Sequence, residues 1–401
     1  MSKGIMRKNG INRELLPVDG GVCAPAGFKA NAVVCQDGEK LSLIVTNGRY
    51  PASLVFSSHA TCGASVVYTR ARLQSGYARA ILVNSGSANI SLTAKPTIEK
   101  ICLALSNATN IPEREIAFAS TGVIGKDMRA DTALPMMKRL ASGATSSGEH
   151  SLLAAQALTT ESGKGQQLSF AFQLGDFTCK IGAIFKGNQR VCPNMATFLC
   201  FFTTDTNISP DMLKKALAQA TADTFNQLDI DGVASPNDTV GIIASGLAGN
   251  SKIDCADAEY EKFAFALKQV ATRVCLAVAQ GERARAFSCV VTGAKSKSAA
   301  RSIAKRVVSA HAVKRSLAQN DLDIDDILCL VCCGDERVDL EKIVIKLRSN
   351  DGQLICFENG ERIEIAKQAK TPVILGGNFT IGVDLGVGNY TATAIGRVET
   401  E

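Results

Sequence analysis

Two strand-like segments separated by only two residues constrain this chain most. QLSFAFQL (167–174) and FTCKIGAIF (177–185) are rich in aromatic and β-branched residues, and TPVILGG (371–377) with NFTIGVDLG (378–386) forms a similar pair. Strands joined this closely pair as antiparallel hairpins, because a parallel connection needs a dozen or more residues. The pairs therefore predict an α+β fold of two packed β-sheets flanked by helices, rather than a doubly wound parallel sheet.

The rest of the apolar pattern agrees with this class of fold. Further strands are predicted at LSLIVT (41–46), ARAILVN (78–84), EIAFAS (115–120), ATFLCFFTT (196–204), TVGIIAS (239–245), AFSCVVTG (286–293) and DILCLVCC (326–333). Helices are predicted at 97–109, 210–228, 258–280, 302–318 and 340–348, the second with Ser209 as N-cap and Pro210 as its first residue. We expect 168–204 to form central strands, in a main catalytic region over residues 1–250 with a smaller C-terminal lobe over 251–401.

Composition excludes several classes of protein. Of the 401 residues, 46% are hydrophobic and 20% charged, which is too apolar for a disordered chain. The net charge is only +6 and aromatic residues make up 5% with no Trp, so nothing indicates a nucleic-acid surface. No apolar stretch reaches the roughly 18 residues of a membrane span, and the first residues do not resemble a secretory signal. We expect a cytoplasmic protein that binds neither membrane nor nucleic acid.

The fourteen cysteines lack the spacing of a disulfide framework. Cys329 and Cys332 form the one C-x-x-C pair, and we interpret their segment, ILCLVCCG, as a buried strand rather than a zinc site. No G-x-G-x-x-G motif or P-loop is present either. The sequence therefore predicts reduced thiols, no metal and no cofactor.

The segment KGNQRVCPNMATFLCFFTTD (186–205) carries the chemistry, because it places Thr197 at the start of a strongly apolar strand. A threonine hydroxyl is a weak nucleophile unless a base lies beside it, and its own α-amine, with a pKa of about 7.7–8.0, can be that base. An internal threonine gains this amine only if the Ala196–Thr197 bond is cleaved. From these residues alone, an ordinary β-branched strand residue remains the alternative.

Several motifs together resemble the ornithine acetyltransferase (glutamate N-acetyltransferase) family. They are GVCAPAGFKA (21–30), RAILVNSGSAN (79–89), IAFASTGVIG (116–125), LTTES (158–162), KG…PNMAT (186–197), DIDG…SPNDTV (229–240), QGE (280–282), VKRSL (313–317) and VDLG (383–386). The resemblance implies a helix-flanked double β-sheet related to self-cleaving N-terminal-nucleophile enzymes. It also implies a chain that cuts itself between Ala196 and Thr197.

The resemblance implies a role for individual residues. Thr197 matches the nucleophile, which carries the acetyl group, while Thr121 and Gly122 in STGVIG match the pair that stabilises the oxyanion. A hydroxyl and a backbone N–H preset at a tight turn suit this role, because the charge forms when Thr197 attacks an acetyl carbonyl. An ordinary turn is the alternative for Thr121 and Gly122.

Three further residues match substrate contacts of the family. Lys186 would bind a substrate carboxylate and Glu282 an amino group, whereas a solvated lysine and a charge at a helix end are the alternatives. Thr159 matches another contact, and Thr160 becomes its equivalent if the loop shifts by one residue.

The chain also departs from the family pattern. Gly187–Arg190 replaces the usual Gly-Ser-Gly-Met, and Arg283–Ala286 replaces Gly-Ala-Thr-Lys. The sequence closes on TATAIGRVETE (391–401), where the family carries an Asn and a Ser or Thr that bind substrate. Losing two neutral hydrogen bonds predicts weaker substrate binding, unless Arg283 and Arg285 take over the carboxylate.

The resemblance therefore predicts an acetyltransferase of arginine biosynthesis. It would move the acetyl group of N-acetylornithine to glutamate through an acetyl ester on Thr197, and use of acetyl-CoA as a co-substrate stays open. The two cleavage products would remain together, as a heterotetramer of two alpha and two beta chains. The alternatives are a non-catalytic homologue that serves in binding or structure, and an amidase or aminopeptidase that passes the acyl group to water.

Overall fold

A computed structural model describes residues 14–91, 93–159, 165–186, 198–233, 235–281, 283–334 and 338–399. Its strands are β1 Leu16–Pro17, β2 Phe28–Val34, β3 Lys40–Phe56, β4 Tyr77–Ser87, β5 Ile116–Val123, β6 Gln166–Leu174, β7 Phe177–Lys186, β8 Leu199–Thr204, β9 Leu228–Asp229, β10 Thr239–Ala244, β11 Ala284–Ala294, β12 Val344–Ser349, β13 Gly352–Glu358, β14 Glu361–Arg362, β15 Thr380–Asp384 and β16 Tyr390–Glu399. Its α-helices are α1 Ala64–Arg72, α2 Ala94–Thr109, α3 Ala130–Ala133, α4 Met137–Ser142, α5 Gly148–Gln156, α6 Pro210–Asp223, α7 Ala258–Ala279, α8 Lys297–Ser309, α9 His311–Ala318, α10 Ile324–Cys332 and α11 Lys367–Leu375. Across these ranges, none of the helices combines the length and the apolar character needed to cross a bilayer.

The long strand β3 connects two layers of the first sheet. Its first half pairs antiparallel with β2 and β4, whereas residues 52–56 pair with β10. The register shifts between Val45 and Tyr50, where the strand passes from one set of partners to the other. The strand order is β1-β6-β7-β8-β10-β3-β4-β5, with β2 also on β3.

Alternating side chains place these two layers face to face between helices. Phe185 and Phe202 belong to a core with α6 and α7, whereas their neighbours Ile184 and Phe201 belong to a core with Ile81 of the other layer. Successive side chains of a strand point to opposite faces, so each layer covers the other with one face and helices with its second face. The far side of β4 and β5 packs on α2 and α4. Each fully buried large apolar side chain stabilises the fold by about 1.5–3 kcal/mol.

A second sheet follows the order β14-β13-β12-β15-β11-β16-β9 and shares an apolar core with α8, α9, α10 and α11. Its edge strand β9 comes from residues 228–229, which lie before the last strand of the first sheet. The second sheet therefore takes its strands from both sides of residue 250, whereas the described strands of the first sheet all lie before it. A division into regions 1–250 and 251–401 stays a prediction.

The predicted α+β class, with packed sheets and outer helices, is confirmed. The hairpin at 167–185 is β6–β7, and β7 and β8 lie in the interior of their layer. Both sheets are mixed rather than purely antiparallel, because β4–β5, β8–β10 and β11–β15 pair in parallel. The Ser209 hydroxyl accepts the Met212 N–H at 3.4 Å and caps α6, as predicted.

The prediction of a buried strand at 326–333 is wrong, since this segment belongs to helix α10. Its buried residues Ile324, Ile327 and Val331 recur at helical spacing, and the Asp323 side chain accepts the Asp325 N–H at 3.0 Å at the helix start. Because only one stripe is covered, the thiols of this segment are exposed, including both members of the C-x-x-C pair.

Three more predictions are wrong in part: a predicted helix contains a strand, a predicted strand lies in a helix, and one predicted helix is divided in two. The predicted helix 340–348 contains β12, in which buried Ile345 and Leu347 alternate with Lys346. The predicted strand 371–377 lies largely in α11 because its intended partner β15 already pairs with β11 on one side and β12 on the other. The predicted helix 302–318 is broken at Ala310 into α8 and α9.

Candidate functional site

Thr121 and Gly122 lie at the end of β5, beside β4. Their parallel partners are Ser85 and Gly86, and Thr121 is buried with 1% of its surface exposed. Gly122 has φ +146°, and a Cβ atom there would overlap the backbone of Gly86 and Ser87. Glycine is therefore required, because a side chain would force the two strands apart. We call residues 121–126 the 121–126 turn.

Lys186, at the end of β7, reaches the same point from the opposite layer. Its Nζ donates to Thr121 Oγ1 at 2.6 Å, and only 6% of Lys186 is exposed. Burial lowers the pKa of Lys186 from 10.5 to about 8. The Thr121 hydroxyl accepts from lysine, so its own proton is free to be donated elsewhere. The structure thus joins two residues that the sequence analysis assigned separately, to the oxyanion and to a substrate carboxylate.

A buried polar network connects the 121–126 turn to β4 and to the residues that precede β3. Glu39, 2% exposed, accepts from the Ser87 hydroxyl and forms an ion pair with Lys126 Nζ at 3.1 Å. Asn89 donates to Asn84 Oδ1 at 2.8 Å and accepts the Met128 N–H at 2.8 Å, which ties β4 to the residues after the turn. Sequence reasoning missed these roles, although the polar run NSGSAN directly after an apolar strand was a signal for them.

Thr159 is buried, and its hydroxyl already donates a hydrogen bond within the protein. Its Oγ1 donates to the Gln156 carbonyl at 2.8 Å, and its own carbonyl accepts from Lys40 Nζ at 3.0 Å. The preceding Leu158 carbonyl accepts from the Ser85 hydroxyl at 3.4 Å, and Ser85 is the pairing partner of Thr121. Thr159 therefore lies close to the site without a direct contact to Lys186 or Thr121 among the described residues. Its alternative, Thr160, lies outside them.

The predicted nucleophile Thr197 and its neighbour Ala196 lie outside the described residues. Phe198, which is bonded to Thr197, is the first described residue before β8. Its N–H donates to the carboxylate of Asp238, and its carbonyl accepts the Thr239 N–H at 3.0 Å. The next residue, Leu199, is the cross-strand partner of Lys186. The start of β8 is thus held beside Lys186, and Asp238 is a contact that sequence reasoning missed.

Glu282 also lies outside the described residues. The flanking Gly281 N–H donates to the carbonyl of Ala284, the first residue of β11, at 3.1 Å. The Arg285 guanidinium donates to the carbonyls of Ile374 at 2.8 Å and Leu317 at 2.7 Å. Arg285 therefore contacts the C-terminal core, and a role of Arg283 and Arg285 in binding a substrate carboxylate stays a prediction.

Known proteins define the class of this chain. A protein of Symbiobacterium thermophilum, named arginine biosynthesis bifunctional protein ArgJ, is 32% identical over 388 residues, covering 94% of this chain and 95% of that protein. The glutamate N-acetyltransferase of Methanococcus maripaludis is 30% identical over 409 residues, covering 94% of each chain. These relatives place the protein among the acyltransferase enzymes. The model of the ArgJ family matches residues 25–397, and the chain belongs to that family.

Two solved structures are also similar. A crystal structure of the arginine biosynthesis bifunctional protein ArgJ from Bacillus halodurans is 30% identical with a TM-score of 0.45, covering 49% of this chain and 92% of the solved chain. The ornithine acetyltransferase of Mycobacterium tuberculosis, solved in complex with ornithine, is 26% identical with a TM-score of 0.39, covering 46% of this chain and 99% of the solved chain.

Proposed function

We propose that this chain cleaves itself before Thr197 and then transfers the acetyl group of N-acetylornithine to glutamate through an acetyl ester on Thr197. One observation carries the proposal. The buried Lys186 ammonium donates to Thr121, so the hydroxyl assigned to the oxyanion is polarised from inside the protein. Membership of the ArgJ family supports the same reaction.

The chemistry follows from a nucleophile that carries its own base. The Thr197 oxygen attacks the acetyl carbonyl while the hydroxyl proton passes to the free α-amine. The carbonyl oxygen becomes an oxyanion, which the Thr121 hydroxyl and a backbone N–H at Gly122 stabilise. Collapse breaks the carbon–nitrogen bond, the departing nitrogen takes the proton back, and ornithine leaves. The glutamate amino group then attacks the ester by the same steps in reverse.

Lys186 serves this reaction in two ways. Its ammonium carries three N–H donors, and one of them donates to Thr121 among the described residues, so another can bind a substrate carboxylate. A charged donor to Thr121 makes that hydroxyl a stronger donor in turn, because hydrogen bonds polarise one another in a low-dielectric interior. Glu282 would bind a substrate amino group. We further propose a cytoplasmic enzyme, assembled from two alpha and two beta fragments, with acetyl-CoA as an additional donor to test.

Thr121→Ala should leave the protein folded and slow acetyl transfer on the order of a hundredfold or more, because it removes one oxyanion donor. Thr121→Ser is the matched control, since it keeps the hydroxyl that accepts from Lys186 and donates to the oxyanion. Steady-state kcat with a thermal melt of each variant measures both effects. Equal kcat for the Ala and Ser variants would remove Thr121 from the oxyanion role.

The pH profile of acetyl transfer should carry a descending limb near pH 8, which follows the ascending limb produced when the Thr197 α-amine loses its proton. The pKa of Lys186 in the folded protein is lowered by burial to about 8, so the ammonium that polarises Thr121 is present below that pH and is lost above it. A kcat/KM profile between pH 6.5 and 9.5 should show this descending limb in the parent enzyme. Lys186→Met should be slower and should lack the limb. An identical limb in that variant would assign the ionisation to another group.

A denaturing gel with intact mass of freshly purified protein tests the proposed function directly. Two fragments whose masses meet at the Ala196–Thr197 bond are the expected result, together with transfer of acetyl from N-acetylornithine to glutamate. Cleavage without any transfer would favour the non-catalytic homologue, and release of acetate to water would favour the amidase. A chain that stays intact would reject Thr197 as the nucleophile.

A further inference from the structure

Two consecutive buried residues, Asn237 and Asp238, contact the two parts of the site that the layers bring together. The Asp238 carboxylate accepts the N–H of Phe198 at the start of β8. Asp238 is fully buried and Asn237 is 2% exposed, so neither side chain is free to change partners in solvent. On the β8 side, the contact is made one residue after the proposed nucleophile.

Asn237 makes the contact on the other side. Its Nδ2 donates to the Ala88 carbonyl at 2.7 Å, just beyond the end of β4. The Ala88 N–H in turn donates to the carbonyl of Val123 at 3.0 Å, inside the 121–126 turn. Three hydrogen bonds, joined through the backbones of residues 237–238 and of Ala88, therefore connect Phe198 with Val123, the residue that follows Gly122.

Asp238 differs from Asp205, another buried carboxyl group beside β8, in how many of its oxygens accept hydrogen bonds from described residues. Its Oδ2 has no hydrogen-bond partner within the part of the chain that the structure describes, and burial raises its pKa well above the usual range. Asp205, at the other end of β8, accepts the N–H groups of Lys180 at 2.7 Å and Ala26 at 3.2 Å with its two oxygens. Among the described residues, the hydrogen bond from Phe198 N–H therefore ties the Asp238 carboxyl to the start of β8.

We propose that Asn237 and Asp238 are positioning residues that set the distance between the start of β8 and the 121–126 turn. This inference rests on the proposed function, in which Thr197 attacks and Thr121 with Gly122 stabilise the oxyanion. Phe198, which follows the proposed nucleophile, and the oxyanion residues Thr121 and Gly122 belong to different layers, so their separation depends on a link between those layers. A displacement of about 1 Å between such groups slows a reaction roughly a hundredfold.

The experiment compares Asp238→Ala and Asp238→Asn with Asp205→Ala. Asp238→Ala should slow self-cleavage and lower kcat at least about tenfold while KM stays unchanged, because binding groups are not moved. Asp238→Asn keeps an oxygen that accepts from Phe198, so it should restore both rates to within severalfold of the parent enzyme. Asp205→Ala, which removes a buried carboxylate from the opposite end of the same strand, should lower the melting temperature without changing either rate.

Equal rates for the parent enzyme and Asp238→Ala would overturn the inference, as would an equal loss of rate in Asp205→Ala. If Asp238→Ala does not fold, Asn237→Ala decides, because it breaks the link at the Ala88 carbonyl and should lower kcat at unchanged KM. Failure of the proposed function looks different. In that case the parent chain itself stays intact and transfers no acetyl group, whatever residue 238 is.

Discussion

Thr197→Ala should yield a single intact chain without measurable acetyl transfer. The substitution removes the oxygen that attacks the Ala196 carbonyl in self-cleavage and the acetyl carbonyl in turnover, so both reactions lose their nucleophile. Loss of a catalytic nucleophile can cost about a millionfold in kcat. Intact mass and a coupled transfer assay on the same preparation measure the two effects together.

Thr197→Ser is the matched control, because it keeps the hydroxyl and removes only a methyl group. We expect it to cleave and to transfer acetyl at reduced rates. Acetyl transfer by the alanine variant at more than a trace of the parent rate would show that another group carries the acetyl, and the assignment of Thr197 would then be abandoned.

Gly122→Ala should be the most damaging substitution among the described residues of the site. A Cβ atom at this position overlaps the Gly86 and Ser87 backbone, which cannot move aside as a flexible side chain would. The backbone also has φ +146°, a conformation that alanine rarely adopts. We expect the end of β5 to move away from β4. The value of kcat should fall by more than about a hundredfold, and the free energy of unfolding should fall by about 1–3 kcal/mol.

The Gly125→Ala variant is the control that separates the effect of the steric clash at Gly122 from the effect of a positive φ. Gly125 lies in the same turn and also has positive φ, at +86°, but a Cβ there meets nothing within 4 Å. It should therefore lose about 1–2 kcal/mol of stability and keep an activity within severalfold of the parent enzyme. Thermal unfolding and kcat of the two variants test the comparison. A Gly122 variant as active as the Gly125 variant would mean that the close approach of β4 and β5 does not matter for catalysis.

Local segments of the fold could be predicted where the pattern is complete within a few residues. The β6–β7 hairpin is such a case, because a two-residue connection leaves only antiparallel pairing. The Ser209 cap is another, since the hydroxyl and its Met212 partner lie three residues apart. Residues 326–377 were harder, because short apolar runs fit either a strand or one face of a helix. There the choice depended on which edges of β12 and β15 were already paired.

In the candidate site, too, the local motifs could be predicted from the sequence, whereas the contacts between distant residues could not. The motifs STGVIG and PNMAT were enough for the sequence to indicate Thr121, Gly122 and Thr197, and with them the family and its chemistry. The contact between Lys186 and Thr121 spans 65 residues, and that between Phe198 and Asp238 spans 40. The first pair meets only after β3 has passed between the two layers and the layers have packed face to face, and the second only after β8 and β10 have paired. By itself the sequence determined which groups could react, whereas the tertiary structure decided which of them touch, because burial and pairing across the layers set distances that no local pattern contains.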